Sequence, residues 1–143
     1  NALGDVFDWK NGKKIAGLLS DDGLCFRDTT ELMMKNYAPV ANKFTGNTTL
    51  AVIITNAKFM KSQLCKISGM TQNGIARSIR PVHTSADGDS VYALSVGEVD
   101  ADIDLVGTLA AEIVSEAIIR AIESCECAYG IPSAKDFHEG KRK

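Results

Sequence analysis

Few places in this chain of 143 residues combine side chains of the right type and spacing to do chemistry. The most suggestive is Gly46-Asn47-Thr48-Thr49, where a polar stretch ends and a β-branched apolar run begins. That change of composition puts Thr48 at a strand start. A hydroxyl held there can attack the carbonyl of the preceding residue and shift the peptide from nitrogen to oxygen. Hydrolysis of the resulting ester frees a new N-terminus. The liberated α-amine has an ordinary pKa of about 7.7–8.0, so part of it is neutral near pH 7 and can act as base for its own hydroxyl. Taken alone, the same residues also describe a turn followed by a β-branched strand start.

Other clusters carry less. Cys125-Glu126-Cys127 with His138 has a one-residue cysteine spacing, whereas structural zinc sites use two to four intervening residues. Glu98, Asp100, Asp102 and Asp104 alternate in an acidic string, but the glycine and distal glutamate of a calcium-binding loop are absent. The string reads as a solvated edge and a helix cap. His83, next to Arg80-Pro81, has the chemistry of a general base, but a lone histidine in a turn more often supports loop structure. Serine-hydrolase elbows, phosphate-binding loops, dinucleotide fingerprints and zinc-helix motifs are absent from the sequence. No metal and no organic cofactor is expected.

Composition sets the frame for these residues. Apolar residues form 45% of the chain and charged residues 24%, proportions of a soluble globular protein rather than a disordered, collagen-like or coiled-coil one. Sixteen basic and eighteen acidic side chains leave a formal charge of -2 without a Lys/Arg block, so nucleic acid is not an expected partner. Apolar runs fall far short of the roughly 20 residues a membrane helix needs, so no membrane is expected either. No signal-peptide pattern is visible at the first residues, and the four cysteines show no framework spacing. Reduced thiols and a cytoplasmic location follow as the expectation.

The elements that must position Thr48 are legible from pattern. Asn1 to Phe7 reads as a strand end, and Asn11-Gly12 predicts a hairpin leading to a strand over Ile15–Leu19, with a type I′ turn. Ser20 to Asn47 reads as a surface connection holding one short helix over Glu31–Tyr37. Thr48–Thr55 predicts a strand covered on both faces, because its apolar run does not alternate. Met60–Ile79 predicts a helix in which Met60, Leu64, Ile67, Thr71, Gly74, Ile75 and Ser78 recur at three- and four-residue steps, with Gly69, Gly74 and Ala76 allowing close packing. Ser90–Gly97 predicts a second strand. Asp102 or Asp104 caps a final helix reaching about Cys125, with Leu105, Leu109, Ile113, Ala117 and Ala121 on its core face and Val106, Ala110, Val114 and Ile118 beside them. The tail past Tyr129-Gly130-Ile131-Pro132 is expected to fray. The order makes the fold α+β or a layered αββα arrangement.

Several stretches together carry a family resemblance. They are Gly46-Asn47-Thr48-Thr49-Leu50-Ala51-Val52, Thr55-Asn56-Ala57, Gly74-Ile75-Ala76-Arg77-Ser78-Ile79-Arg80-Pro81-Val82-His83-Thr84 and Asp87-Gly88-Asp89, with Asn1-Ala2-Leu3-Gly4-Asp5-Val6 before them and Gly130-Ile131-Pro132-Ser133 after. In this order they resemble the self-cleaving L-aminopeptidase/D-esterase (DmpA-type) family, most of all its nylon-oligomer-hydrolase branch. The resemblance implies an N-terminal-nucleophile-like αββα sandwich, made as a precursor and cut between Asn47 and Thr48. Residues 1–47 would then close the α part, with 48–143 forming the β part. Thr48 becomes the nucleophile and Asn1 matches an asparagine whose amide donates to the developing oxyanion. Asp87 and Asp89 match acidic positions near the nucleophile, although Asp-Gly-Asp is also a tight turn.

The resemblance further implies hydrolysis of short peptides, other amides or esters, and homo-oligomers of αβ pairs. It also implies a segment before Asn1 that supplies a catalytic lysine, so residues 1–143 by themselves are expected to be inactive on amides. Two other readings remain at this point: a non-catalytic binding or assembly module, and acyl transfer of the kind ornithine acetyltransferases perform.

Overall fold

β3 (Leu50–Ala57) and β5 (Ser90–Val99) lie side by side and parallel, joined through α2 (Lys61–Ser78). This strand–helix–strand unit carries most of the structure. The computed structural model describes residues 2–35 and 47–138. Around the unit are β1 (Asp5–Phe7), β2 (Lys14–Ala16), α1 (Thr29–Lys35), β4 (Ile79–Arg80), α3 (Ile103–Ser124) and α4 (Ala134–His138). Helices and strands are mixed, as an α+β chain requires. Besides the parallel pair there is a small antiparallel sheet in the order β2-β1-β4.

The helices form because apolar and small residues recur on one stripe. Ile67, Thr71, Gly74, Ile75 and Ser78 of α2 are buried as the sequence predicts, while Leu64 is half-buried and Met60, just before the helix, is exposed. Of the three small residues expected to permit close packing, Gly74 does so. A Cβ there would meet the Ala111 carbonyl oxygen at 2.0 Å, and the Ser115 hydroxyl donates to the Gly74 carbonyl at 2.8 Å. Gly69 faces open space and Ala76 is exposed. In α3 the expected core face is rotated. Gly107, Ala110, Ala111, Val114, Ser115 and Ile119 are buried, while Leu105, Leu109 and Ile113 are exposed. Apolar residues fill the helix on both sides of the polar stripe Asp104, Thr108, Glu112, Glu116 and Arg120, so periodicity alone did not choose the buried face; small residues did, because they let α2 approach. Asp102 supplies the cap, accepting the amides of Asp104 at 3.0 Å and Leu105 at 2.9 Å.

The hairpin forms with a different turn. Gly12 has φ +73°, but Asn11 does not adopt positive φ, so the connection is not type I′. It is a longer loop closed from Asp8 to Lys13, where the Asp8 amide donates to the Lys13 carbonyl and the Gly12 amide to the Asp8 carbonyl. α1 begins at Thr29, with the Asp28 carboxylate accepting the Glu31 amide; its expected end at Tyr37 lies outside the described residues. The expected fraying does not hold as far as His138, and residues 139–143 lie outside the described ones. Ser133 and Asp136 cap α4, and Phe137 stacks on Phe26 with ring centres 4.9 Å apart.

β3 corrects a further expectation. Among the described residues only one of its faces is covered. Ala51 and Ile53 turn toward the helices, whereas Leu50, Val52 and Ile54 lie on the opposite face with Tyr92, Leu94 and Val96 of β5. All six are between 46% and 68% exposed. The run reads as doubly buried because both faces are apolar, yet these residues bury only one of them.

Candidate functional site

The site grows from the register of the parallel pair. Leu50 opposes Ser90, and an isolated bridge before the strands pairs Asn47 with Asp87 at the same offset. Thr48 and Thr49 belong to neither strand, but the same register carries across them, and Thr48 sits beside Gly88. Because side chains alternate along strands, Thr48 falls on the side of the bare apolar face and Thr49 on the helix side. Leu50 continues the first and Ala51 the second.

Thr48 is half-buried, and its Oγ1 donates to the Asn47 carbonyl oxygen at 2.7 Å. The Gly88 amide donates to the same oxygen at 3.0 Å. The hydroxyl thus rests against the carbonyl behind it, with Gly88 on its other side. A Cβ at position 88 would come within 2.8 Å of Thr48 Oγ1.

The two aspartates hold this junction from below rather than touching the hydroxyl. Asp89 is 3% exposed, and its Oδ1 accepts the Thr49 amide at 2.7 Å. Its Oδ2 lies 2.9 Å from His83 Nδ1 and accepts the His83 amide at 3.2 Å. Asp87 Oδ2 accepts the Thr84 amide at 3.0 Å and its hydroxyl at 2.7 Å, while the Asp87 amide donates back to the Thr84 carbonyl. The turn therefore closes from Thr84 to Asp87 rather than over Asp87-Gly88-Asp89, and these three residues lead on from it alongside the Asn47-Thr48 peptide. His83, at φ +57°, belongs to this network as the neighbour of Asp89; composition hinted at a loop role but not at the carboxylate it meets.

Not every expected residue comes together here. Asn1 lies outside the described residues. Its neighbour Ala2 lines an apolar groove of about 420 Å³ with Thr49, Leu50, Ile113 and Ile118. This groove opens beside the junction but does not include Thr48. Thr49 Oγ1 is buried with no hydrogen-bond partner among the described residues. Cys25, Cys65, Cys125 and Cys127 are exposed and unpaired. Among the described residues no three His, Cys, Asp or Glu side chains gather as metal ligands, and no helix is long and apolar enough to cross a membrane.

Comparison with known proteins gives the family. The model of peptidase family S58 matches residues 11–134, and the chain belongs to that family. It is 30% identical to an uncharacterised aminopeptidase of Mycobacterium leprae (strain TN), over 93% of this chain and 41% of that protein. An uncharacterised aminopeptidase of Mycobacterium tuberculosis (strain ATCC 25618 / H37Rv) is also 30% identical, over 66% of this chain and 32% of its own length. A 6-aminohexanoate-oligomer endohydrolase of Paenarthrobacter ureafaciens is 26% identical, over 66% of this chain and 30% of its own. The chain thus spans about two fifths or less of the length of these curated relatives.

Proposed function

We propose that this chain belongs to a self-processing amide-bond hydrolase in which Thr48, freed by cleavage after Asn47, is the N-terminal nucleophile. The observation that carries the reading is the 2.7 Å contact between Thr48 Oγ1 and the Asn47 carbonyl, in a peptide pinned on both sides by the parallel pair. In the mature form the Thr48 amine takes the proton from its own hydroxyl, Oγ1 attacks the substrate carbonyl, and an acyl-enzyme is released by water. Asn1 donates to the oxyanion, a contribution typically worth about 2.7–4 kcal/mol. Asp89 and Asp87 act by fixing Thr49 and the turn that leads to Gly88.

The substrates are short peptides or other linear amides, a class supported by relatives named aminopeptidase and 6-aminohexanoate-oligomer endohydrolase. Residues 1–47 close the α part and 48–143 form the β part of one sandwich. The bare apolar face of β3 and β5 supports this reading, because such a surface needs a second layer. The rest of the precursor supplies that layer, the wall of the cleft over Thr48 and a lysine beside it. The αβ pairs assemble further into multimers, and exposed free thiols suit a reducing, cytoplasmic setting.

Intact mass under denaturing conditions tests the reading on the full precursor. A piece beginning at Thr48 is expected, lost together with amidase activity in Thr48→Ala. A wild type that hydrolyses amides while uncut at Asn47-Thr48 would sink it.

A further inference from the structure

We propose that the backbone N–H of Gly88 is the oxyanion donor for self-cleavage, a catalytic role for a residue that offers no side chain. The inference rests on the Thr48 reading above and adds the group that makes its first step feasible. In the uncut chain the Asn47 carbonyl oxygen receives two donors, Thr48 Oγ1 at 2.7 Å and the Gly88 amide at 3.0 Å. These two cannot act alike. When Oγ1 attacks the Asn47 carbonyl carbon it gives up its proton and ceases to be a donor. Negative charge then gathers on an oxygen whose remaining donor among the described contacts is Gly88.

The step balances with water as the co-reactant. The bond from Thr48 Oγ1 to the Asn47 carbonyl carbon forms, the bond from that carbon to the Thr48 nitrogen breaks, and the hydroxyl proton ends on that nitrogen. Water then cleaves the ester, leaving the Asn47 carboxylate and the Thr48 amine. That ester is itself an acyl-enzyme whose acyl group is the upstream chain, so both steps build charge on the same oxygen and use the same amide.

Three observations make this more than a ladder bond. The amide is preorganised: Asp87 is tied to Thr84 through side chain and backbone, Asp89 to Thr49 and His83, and the Ser90 amide to the Thr49 carbonyl at 3.0 Å. A donor fixed before the reaction costs no reorganisation during it. Gly88 also does not need to be glycine for its backbone, since it lies outside the positive-φ residues. It needs to be glycine for space, because a Cβ would stand 2.8 Å from the attacking oxygen. Finally, the residue stands directly beside the Asn47-Thr48 peptide, with both Asn47 O and Thr48 Oγ1 as its near neighbours.

The experiment replaces one amide by an ester in the full-length precursor, using glycolic acid at position 88 in cell-free synthesis. This deletes the N–H and leaves the shape. The control is the α-hydroxy analogue of serine at position 90, which deletes the next ladder bond, to Thr49, and leaves the Asn47 carbonyl untouched. The reading is the rate at which the piece beginning at Thr48 appears, by mass. Loss of the Gly88 N–H is expected to slow it about 10²–10³-fold, the range for removing one oxyanion donor, with the position-90 control within a few-fold of wild type. Wild-type speed with the ester at 88, or equal slowing at 88 and 90, would overturn the inference and leave Thr48 as nucleophile. A wild-type precursor that never cuts would overturn both.

Discussion

Among the described residues two carboxylate side chains, Asp5 at 1% exposed and Asp89 at 3%, are almost wholly out of water, and they are used differently. Asp5 is a clasp. It accepts the Lys14 ammonium at 2.7 Å, the Thr29 amide and hydroxyl at 2.9 and 2.7 Å, and the Leu18 amide at 3.0 Å. Those donors come from β2, the stretch after it and the start of α1, so one side chain gathers the segments leading toward the junction. Asp89 holds fewer groups, but one of them is the amide of Thr49. A buried carboxylate must be satisfied wherever it lies. What differs is what its donors are attached to: at Asp5 three pieces of scaffold, at Asp89 the peptide next to the Thr48 hydroxyl.

The comparison breaks most simply at Asp5. Asp5→Ala leaves Lys14, 16% exposed, facing a hole with the Thr29 and Leu18 donors unpaired. Removing one partner of a buried pair typically costs about 3–5 kcal/mol. The urea midpoint of the full protein is expected to fall by that equivalent, while the fraction that still folds cuts itself at close to the wild-type rate. If the cutting rate instead collapses and stability holds, Asp5 is part of the chemistry and the contrast is wrong.

Asp89→Asn should show the reverse pattern. The amide keeps one acceptor for the Thr49 N–H but turns a donor toward His83, so the strand entry shifts without emptying space. Self-cleavage is expected to slow about 10–100-fold, equivalent to roughly 1.4–2.8 kcal/mol, with stability changed by about 1 kcal/mol. Paired kinetic and denaturation measurements on the same variant check it. A large stability loss with unchanged cutting would make Asp89 a second clasp.

Acid sharpens the contrast without mutation. Burial, the largest single influence on Asp5, pushes its pKa up. The Lys14 ammonium, the Thr29 and Leu18 amides and the Thr29 hydroxyl together outweigh it, leaving the group below its ordinary 3.8. A carboxylate depressed on folding stabilises fully above its unfolded pKa, and that contribution is lost as pH falls through the lower folded value. Denaturation midpoints should therefore decline below about pH 3.8 through Asp5. Asp5→Asn should remove this part of the decline, and an identical acid response in the variant would contradict it.

Much of this was legible beforehand, for definable reasons. The helix over 61–78 and the strands over 50–57 and 90–99 announce themselves by period and by β-branched runs. The burial stripe of α2 is readable because its outer face is polar; that of α3 is not, because Leu105, Leu109 and Ile113 are as apolar as the residues that pack. The Thr48 junction was readable as a change from polar to apolar composition and as a resemblance. The contact between Gly88 and Asn47 was not, since it depends on a parallel register spanning 40 residues that no local pattern encodes. β4 escaped for a similar reason: Ile79 and Arg80 close the pattern of a helix, and only pairing with β1 makes them a strand.

The finest test lies at His83, where the two uses of a carboxylate meet. Its Nδ1 stands 2.9 Å from Asp89 Oδ2, but that oxygen also accepts the His83 backbone amide, which survives any side-chain change. The ring is 33% exposed, and pairs that water reaches are typically worth about 0.2–1 kcal/mol. The backbone there is left-handed at φ +57°, a conformation asparagine adopts readily, so His83→Asn removes the ring without straining the chain. Stability is expected to change by less than about 1 kcal/mol and self-cleavage by less than about fivefold. Should this variant slow cutting as much as Asp89→Asn does, the imidazole and the carboxylate work as one unit, and Asp89 does more at the junction than hold Thr49 in place.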